Sequence, residues 1–582
     1  MKYLDFPIWC HESGMNSAMV RIGSEVVAMK NYLIILLMVL SAVTIFNGCA
    51  ADDGAKSTSV NNGNNTNNGN VNIGGVQDIG VFRDIVNAGG IPGPDTLDAN
   101  GFFSEHYIEY QTEDCGEDIC LFGMLGRGVS VLSSDYMNVL QVGMKSQVNP
   151  QDYERPPTDF IAVIDVSGSM YSDNKLEYVR QGLHMMIDSL EPTDRLALVA
   201  YSDLAREAQE LIYVDSAENR QIMHANVNRL VAGGSTNIYE ALWLGFDIAA
   251  MSAAEGRYAR VVFLSDGQPT AGITDPNSII AFAREKATKT SQLTSIGVGT
   301  DVNYELMKEL AMAGGNFYFI ENSMALPDIF VEEVDYFSFP IAEDVHFTLS
   351  SGPDFYIGDT VGFDNFTSSS AGGEATFPAI YLASRTSENI EDPNSRRGGG
   401  SAMFVRIVPQ ANTMSLSGIL LTMSYTDPQT GETVGPQRVV VSDLSDGGMM
   451  PEGDFYSAAS MRKSYAMLNI FLGLKEVCQR SSYYDFATAR ELLISTIDYA
   501  YAVNAELADD DLTADIQLME TLLVNIEANG YYDYCGNGEC YYYGDDVMMS
   551  PLGCTTSGSA PGTAGLWFLA TLAGFLFIRR RR

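Results

Sequence analysis

Positive charge is scarce in this sequence, which contains 34 Lys and Arg residues against 74 Asp and Glu residues and has a formal net charge of −40. Nucleic acids and anionic lipid surfaces are recognised through clusters of Lys and Arg, so neither class of partner is expected. The excess of carboxylates mainly favours solubility. Hydrophobic residues make up 46% of the 582 positions, which is enough to build large buried cores.

Motifs of common hydrolases are also absent from the sequence. None of the five histidines lies in a His-Glu-x-x-His motif, and no serine lies in a Gly-x-Ser-x-Gly turn. Ser167 and Ser169 have no candidate general base close to them in sequence. We therefore expect that the protein is not an enzyme, and a hydrolase is the weakest alternative.

The chain is too long for one ordinary domain, and composition shifts divide it into several segments. An α/β domain with a doubly wound, mostly parallel sheet is predicted at its centre, because apolar strands alternate there with amphipathic helices. Short alternating strands predict a β-sandwich after it. The expected segments are a signal peptide (1–49), a flexible Asn- and Gly-rich linker (50–94), a β-rich segment (95–154), the α/β domain (155–340), the β-sandwich (341–450), a helical region (451–530) and a Cys-containing linker with a C-terminal sorting or membrane tail (531–582).

The most informative stretch is the apolar run from Phe160 to Ile164, which leads directly into Asp165, Ser167 and Ser169. A short apolar run bounded by turn residues is typical of a strand buried on both faces. Ligands of open α/β sheets bind at the carboxyl ends of the strands. Carboxylate and hydroxyl oxygens are hard donors, which suit Mg²⁺, Ca²⁺ or Mn²⁺ rather than zinc.

This run resembles the opening motif of the von Willebrand factor type A domain, and two later stretches strengthen the resemblance. Segment 233–237 is similar to the loop that contains the family's metal-binding threonine, and segment 261–267 is similar to its second buried strand, which ends in an aspartate. The resemblance implies a Rossmann-like fold and a metal-ion-dependent adhesion site. The five metal-binding positions of that site are occupied here by Asp165, Ser167, Ser169, Thr236 and Asp266.

The resemblance also implies a function. A Mg²⁺ ion, or a Ca²⁺ or Mn²⁺ ion, held by two carboxylates and three hydroxyls keeps residual positive charge and open coordination positions. Such an ion is expected to accept a carboxylate from a partner protein, in adhesion or another protein–protein interaction. The alternative is a subunit of a larger envelope or ATPase-linked assembly, because type A domains also act together with AAA-type ATPases.

The segments on either side of the type A domain are expected to pack together. Strands between 100 and 150 are expected to complete the sandwich, so that the type A domain is an insertion into it. This arrangement resembles that of inter-α-trypsin inhibitor heavy chains in architecture only. In the helical region, Met467, Leu468, Phe471 and Leu474 have helical spacing and are expected to form core.

Both ends of the chain resemble targeting signals. An apolar stretch from Leu33 to Phe46 has the length of a signal-peptide core, and Cys49 lies after it as in a bacterial lipobox. Lipidation of Cys49 is expected, with a simply cleaved signal peptide as the alternative. Gly553 and Cys554 precede an apolar stretch and four arginines, as in a myxosortase-type sorting tail, with a retained tail anchor as the alternative. Together these signals imply export to the outer membrane or cell surface, with attachment through the lipid or the tail.

Closely spaced cysteines in an exported chain indicate local disulfides. The candidate pairs are Cys115 with Cys120 and Cys535 with Cys540. For the first pair metal binding is the alternative, although no histidine lies nearby to complete a site. Cys478 is left without an evident partner.

Overall fold

In a computed structural model of the chain, the apolar run that begins at Phe160 lies in a central strand of a seven-stranded sheet. The structure describes residues 69–529 except 111–113, 149–154, 313, 351, 353–354, 364, 370–371, 386–395, 411–415, 417 and 442–449. Within these ranges, no helix combines the length and the apolar character needed to cross a membrane.

The secondary-structure elements are numbered in chain order. The strands are β1 (Val71–Ile73), β2 (Gly75–Val76), β3 (Ile119–Val129), β4 (Tyr136–Ser146), β5 (Thr158–Asp165), β6 (Arg195–Tyr201), β7 (Ala205–Tyr213), β8 (Tyr258–Ser265), β9 (Ser291–Val298), β10 (Asn316–Ile320), β11 (Ala342–Ser350), β12 (Phe355–Val361), β13 (Thr367–Ser369), β14 (Gly372–Leu382), β15 (Met403–Pro409), β16 (Leu420–Thr426), β17 (Thr433–Val440) and β18 (Phe455–Tyr456). The helices are α1 (Gly80–Asn87), α2 (Ala99–Ser104), α3 (Lys175–Ser189), α4 (Ala217–Val227), α5 (Ile238–Ala254), α6 (Pro276–Lys286), α7 (Tyr304–Ala311), α8 (Ala325–Pro327), α9 (Glu333–Phe337), α10 (Ala459–Ser482), α11 (Phe486–Leu507) and α12 (Asp510–Asn529).

The central sheet has the strand order β2-β10-β9-β8-β5-β6-β7. Neighbouring strands pair in parallel, except that β7 runs antiparallel to β6 at one edge. Helices of the α/β domain cover both faces, as the alternation of strands and helices predicted. The predicted fold class, a doubly wound and mostly parallel sheet, is therefore confirmed.

Strand β5 explains why this sheet is buried on both sides. Phe160, Ala162 and Ile164 point into one hydrophobic core, whereas Ile161 and Val163 point into the core on the opposite face. Successive side chains of a strand alternate between faces, so a strand covered on both sides needs an unbroken apolar run. The sequence of β5 meets that requirement with every side chain inaccessible to solvent.

A β-sandwich surrounds the α/β domain in sequence. One of its sheets has the order β1-β14-β11-β16-β17, with β13 paired to β14, and the other has the order β12-β15-β4-β3-β18. Because β3 and β4 precede the α/β domain while β11 to β17 follow it, the α/β domain is inserted into the sandwich. Alternate residues of β11 are buried and exposed, as expected for a strand with one face on the core.

The expected linker 50–94 is too long, because its second half is folded. β1 pairs antiparallel with β14 of the sandwich, and β2 pairs in parallel with β10 of the central sheet. Val71, Ile73 and Val76 are buried in these pairings, so their apolar side chains outweigh the surrounding Asn and Gly residues. The expected β-rich segment 95–154 likewise begins with a helix, α2, before its two long strands.

The helical region consists of α10, α11 and α12, which pack on the outer face of the sheet that contains β3 and β4. The predicted core residues Met467, Leu468, Phe471 and Leu474 are buried there. Cys478 is also buried and has a free thiol.

Cys115 and Cys120 form a disulfide, as predicted. The remaining cysteine and sorting residues of interest, Cys49, Cys535, Cys540, Gly553 and Cys554, lie outside the described residues.

Two adjacent buried arginines connect the parts of the molecule. Arg396 donates to Glu105 at 3.0 Å and to Asp515 of α12 at 2.8 Å. Arg397 donates to Asp78 at 2.9 Å, and its remaining nitrogens bind Glu321 and Asp328 of the α/β domain. Buried charges are tolerated only when they are paired and hydrogen-bonded, and these pairs therefore fix the helical region against its neighbours.

Asp511 lies at the centre of the same ionic cluster. Its carboxylate accepts hydrogen bonds from Arg385 at 2.8 Å and from Lys463 at 3.1 Å. Burial acts to raise the pKa of Asp511, but the positive charges of His106, Lys463, Arg385 and Arg396 outweigh burial and lower the pKa to about 2.

We predict that Asp511→Asn lowers the free energy of unfolding by about 2 kcal/mol at pH 7, since a pKa that falls from 3.8 to about 2 on folding stabilises the native state by that amount. The stabilisation is complete above the unfolded-state pKa and is lost as the pH falls towards about 2. The difference in unfolding free energy between wild type and Asp511→Asn should therefore drop to about half by about pH 3. Urea denaturation at pH 7 and at pH 3 measures this difference. Asp510→Asn is the control, because Asp510 is exposed, and an equal effect of the two substitutions would contradict the prediction.

Candidate metal centre

Two aspartates end neighbouring parallel strands of the central sheet. Asp165 is the last residue of β5, and Asp266 directly follows β8. The strands pair with Ile164 opposite Leu264, so both carboxylates lie at the same edge of the sheet. This is the edge at which open α/β sheets bind ligands. Both side chains are fully buried.

The Asp165 carboxylate is held at both oxygens. Oδ1 accepts a hydrogen bond from the Ser167 backbone N–H at 2.8 Å, and Oδ2 accepts from the hydroxyls of Ser265 at 2.6 Å and Tyr201 at 3.1 Å. Burial raises the pKa of Asp165, and hydrogen bonds from Ser167 and Ser265 offset part of that rise. A cation bound beside Asp165 would favour its ionised form.

Ser167 and Ser169 lie on the turn after β5, with their hydroxyl oxygens 3.1 Å apart. This turn is fixed to the loop before α5, because the Gly168 N–H donates to the Gly234 carbonyl at 3.0 Å. Gly234 has a φ of +88°, and a Cβ at this position would lie 3.0 Å from Asp203 Oδ2. The positive φ and the closeness of the turn between β6 and β7 therefore favour glycine at this position.

Thr236 is buried on the loop before α5 and is held through its backbone. Its N–H donates to Thr270 Oγ1 at 2.8 Å, and its carbonyl accepts from the N–H groups of Thr270 and Ala271. These bonds join the loop before α5 to the loop that follows Asp266. All five predicted metal-binding residues therefore lie on three connected loops at one edge of the sheet.

Asp266 has an unsatisfied oxygen. Oδ1 is buried and has no hydrogen-bond partner among the described residues. A buried carboxylate oxygen without a partner is costly, and a cation at this position would satisfy it. Oδ2 accepts a hydrogen bond from the ammonium of Lys175 at 3.3 Å. The residues present thus suit a divalent cation with oxygen ligands.

Lys175 is a site residue that the sequence analysis missed. It is the first residue of α3, only 1% of it is exposed, and its ammonium pairs with both Asp266 and Asp301. A positive charge at a helix N-terminus is unfavourable, because the helix dipole is also positive there. A lysine at the start of a predicted helix is therefore the sequence signal that could have identified Lys175 as a site residue.

The donor set differs from that of a transition-metal site. In the described part of the chain, no group of three or more His, Cys, Asp or Glu side chains could hold a metal ion. Three of the five donors at the sheet edge are instead neutral hydroxyls. Such oxygen ligands suit Mg²⁺, Ca²⁺ or Mn²⁺.

Residues 159–332 match the family model of the von Willebrand factor type A domain. The chain contains a type A domain. The match covers β5 to the segment before α9, and so includes all five candidate metal-binding residues.

Two curated proteins illustrate the extent of the similarity. The chain is 28% identical over 202 residues to the uncharacterized protein YfbK of Escherichia coli K12, which covers 34% of this chain and 35% of YfbK. It is 32% identical over 171 residues to inter-alpha-trypsin inhibitor heavy chain H4 of Homo sapiens, which covers 28% of this chain and 18% of that protein. The chain therefore matches only about a third of the length of YfbK and less of the inhibitor chain.

A solved structure is similar over a larger part of the chain. It is a von Willebrand factor type A protein from Catenulispora acidiphila, with a TM-score of 0.46 and 16% sequence identity. The alignment covers 72% of this chain and 98% of that one.

We predict that millimolar Mg²⁺ raises the unfolding temperature of the purified protein above its value in chelator. A ligand that binds only the native state stabilises it, by about 2.7 kcal/mol at a free concentration of about 100 times Kd. Asp165→Ala and Thr236→Ala should each abolish this shift. Asp247→Ala, which removes an exposed carboxylate from α5, should retain it. If the Mg²⁺-dependent rise in unfolding temperature persisted in Asp165→Ala, Mg²⁺ would be bound at another site.

We predict that Lys175→Met increases Mg²⁺ affinity by about tenfold, because the ammonium opposes a second cation beside Asp266 at short range. In chelator the same variant should be less stable than wild type by about 3 kcal/mol, since it leaves a buried carboxylate without its counter-ion. Isothermal titration calorimetry and urea denaturation measure the two effects. Lys286→Met, at a partly exposed lysine of α6, is the control. A fall in affinity would mean that Lys175 acts by holding Asp266 in position.

Proposed function

We propose that the protein is an exported cell-surface protein whose type A domain binds a partner protein through a divalent cation. Asp165, Ser167, Ser169, Thr236 and Asp266 would hold the ion, and the partner would supply a carboxylate to it. The observation that supports this proposal most directly is the buried, unpartnered Oδ1 of Asp266 beside the ammonium of Lys175. The bound ion would supply an electrophilic site for that carboxylate.

The charges at the site favour an anionic ligand. Asp165 and Asp266 contribute two buried negative charges, and the Lys175 ammonium, which Asp266 shares with the largely exposed Asp301, offsets part of them. The two buried carboxylates therefore do no more than balance the two positive charges of a Mg²⁺ or Ca²⁺ ion, and Lys175 reduces that balance. An ion held this way remains under-neutralised, and in a low-dielectric setting it attracts a carboxylate strongly.

Exposed apolar side chains on these loops and on the adjacent turn between β6 and β7 favour a protein as the partner. Tyr171, which lies two residues after Ser169, is 85% exposed, and Leu204 and Ile273 are 68% and 43% exposed. Leu204 follows Asp203, whose carboxylate accepts a hydrogen bond from the Ser235 N–H at 3.0 Å. Ile273 lies on the loop that binds the Thr236 carbonyl. A protein surface can bury such side chains around a central polar contact.

The location of the protein is part of the same proposal. Lipidation of Cys49 and processing near Gly553 and Cys554 would place the type A domain outside the cell, attached to a membrane at one end. A non-catalytic binding role accords with the absence of hydrolase motifs in the sequence.

Affinity capture tests the proposal. The purified protein should retain a partner from surface extracts in millimolar Mg²⁺ and release it in chelator, and Thr236→Ala should lower retention by about tenfold or more. Leu204→Ser should weaken binding of the partner and leave the Mg²⁺-dependent rise in unfolding temperature unchanged. Asp247→Ala should behave as wild type. A partner retained equally in chelator and in Thr236→Ala would rule out recognition through the ion.

A further inference from the structure

A pair of histidines lies on two adjacent helices of the type A domain. His184 is in the second half of α3 and His224 is in α4, and their Nδ1 atoms are 2.7 Å apart. His184 lies nine residues after Lys175 in the same helix, which corresponds to about 14 Å along the helix axis at 1.5 Å per residue. The pair is therefore separate from the oxygen site at the sheet edge.

The outer nitrogens of both rings are also engaged. His184 Nε2 lies 3.1 Å from Asn228 Oδ1, and His224 Nε2 lies 3.0 Å from Asp188 Oδ1. The Asp188 carboxylate can only accept, so His224 Nε2 donates to it, and the Asn228 amide as oriented presents its oxygen to the N–H of His184 Nε2.

This arrangement fixes the protonation of the inner nitrogens. A neutral imidazole with a proton on Nε2 has a lone pair on Nδ1. Two such rings would direct two lone pairs at each other across 2.7 Å, which is a hydrogen-bonding distance only if a proton lies between the nitrogens. The pair therefore needs one cation between the two Nδ1 atoms, and Asp188 provides a negative charge close to it.

We propose that His184 and His224 form a binding site for a borderline divalent metal ion such as Zn²⁺, with a single shared proton as its metal-free occupant. Imidazole nitrogens are preferred ligands of Zn²⁺, Cu²⁺ and Ni²⁺, whereas Mg²⁺ prefers oxygen. On binding, the two Nδ1 lone pairs would coordinate the ion, and the shared proton would leave to the solvent.

The geometry requires only a small adjustment. Zn–N bonds of 2.0–2.1 Å at a tetrahedral angle place two nitrogens about 3.3 Å apart, so the Nδ1 atoms would separate by about 0.6 Å. Asn228 and Asp188 would orient the rings through their Nε2–H groups, as outer partners of metal-binding histidines commonly do. The His224 side chain is 27% exposed, so water can fill the remaining coordination positions.

The test is a Zn²⁺ titration of the full-length purified protein by calorimetry, in millimolar Mg²⁺ so that the oxygen site is saturated. We expect one Zn²⁺ to bind, with release of about one proton measured in buffers of different ionisation enthalpy. Affinity should fall by about tenfold or more in His224→Gln and, as an independent variant, in His184→Gln. His346→Gln, which removes an exposed histidine of β11, should bind Zn²⁺ as wild type does.

The Asp165→Ala variant distinguishes Zn²⁺ binding at the histidines from Zn²⁺ binding at the proposed adhesion site. Zn²⁺ binding should be retained in that variant if the histidines hold the ion. Two results would overturn the proposal: wild-type Zn²⁺ affinity in both His184→Gln and His224→Gln, or loss of Zn²⁺ binding in Asp165→Ala with the histidines intact.

Discussion

The parallel pairing of β5 with β8 is the constraint on which the candidate site depends. It brings Asp165 and Asp266, which are 101 positions apart in the chain, to one edge of the sheet. The pairing is maintained because both strands are continuous apolar runs buried between two cores. The acidic side chains lie where those runs end, and the loop before α5 adds a neutral oxygen from Thr236. Core packing and ligand chemistry are thus specified by one sequence feature, the abrupt change from apolar to polar residues.

Much of the type A domain could be predicted from the sequence for the same reason. A strand buried on both faces, such as 160–164, has few alternatives, and the motifs at 165–169, 233–237 and 266 identify the loops. The strand pairs of the sandwich could be predicted only in part, because β12 has partly exposed residues without clear alternation and β13 is a short strand of exposed polar residues. β1 and β2 were missed because Val71, Ile73 and Val76 are surrounded by residues typical of linkers.

The charged interior could not be predicted from local patterns. Arg396 and Arg397 precede three glycines, and such a stretch is typical of an exposed loop. Their partners lie far away in the chain, on segments whose acidic residues are indistinguishable in sequence from solvated ones. Lys175 presents the same difficulty, since its role depends on Asp266, 91 residues later. In a chain with so few cations, the described structure places several of them in the interior, where each one neutralises carboxylates that would otherwise be buried without a counter-ion.

The short segment 71–76 has a mechanical consequence. Its first half is a strand of the sandwich and its second half is a strand of the central sheet, with only Gly74 between them. A pulling force that enters the described structure from its N-terminal end would load the bonds of Gly69 and Asn70 to β4, and then the β1–β14 pairing, before it reached β2. Tension applied at that end would therefore pass through the sandwich before it reached the sheet that holds Asp165 and Asp266. The three loops with the candidate metal-binding residues would be shielded from the load until β1 gave way.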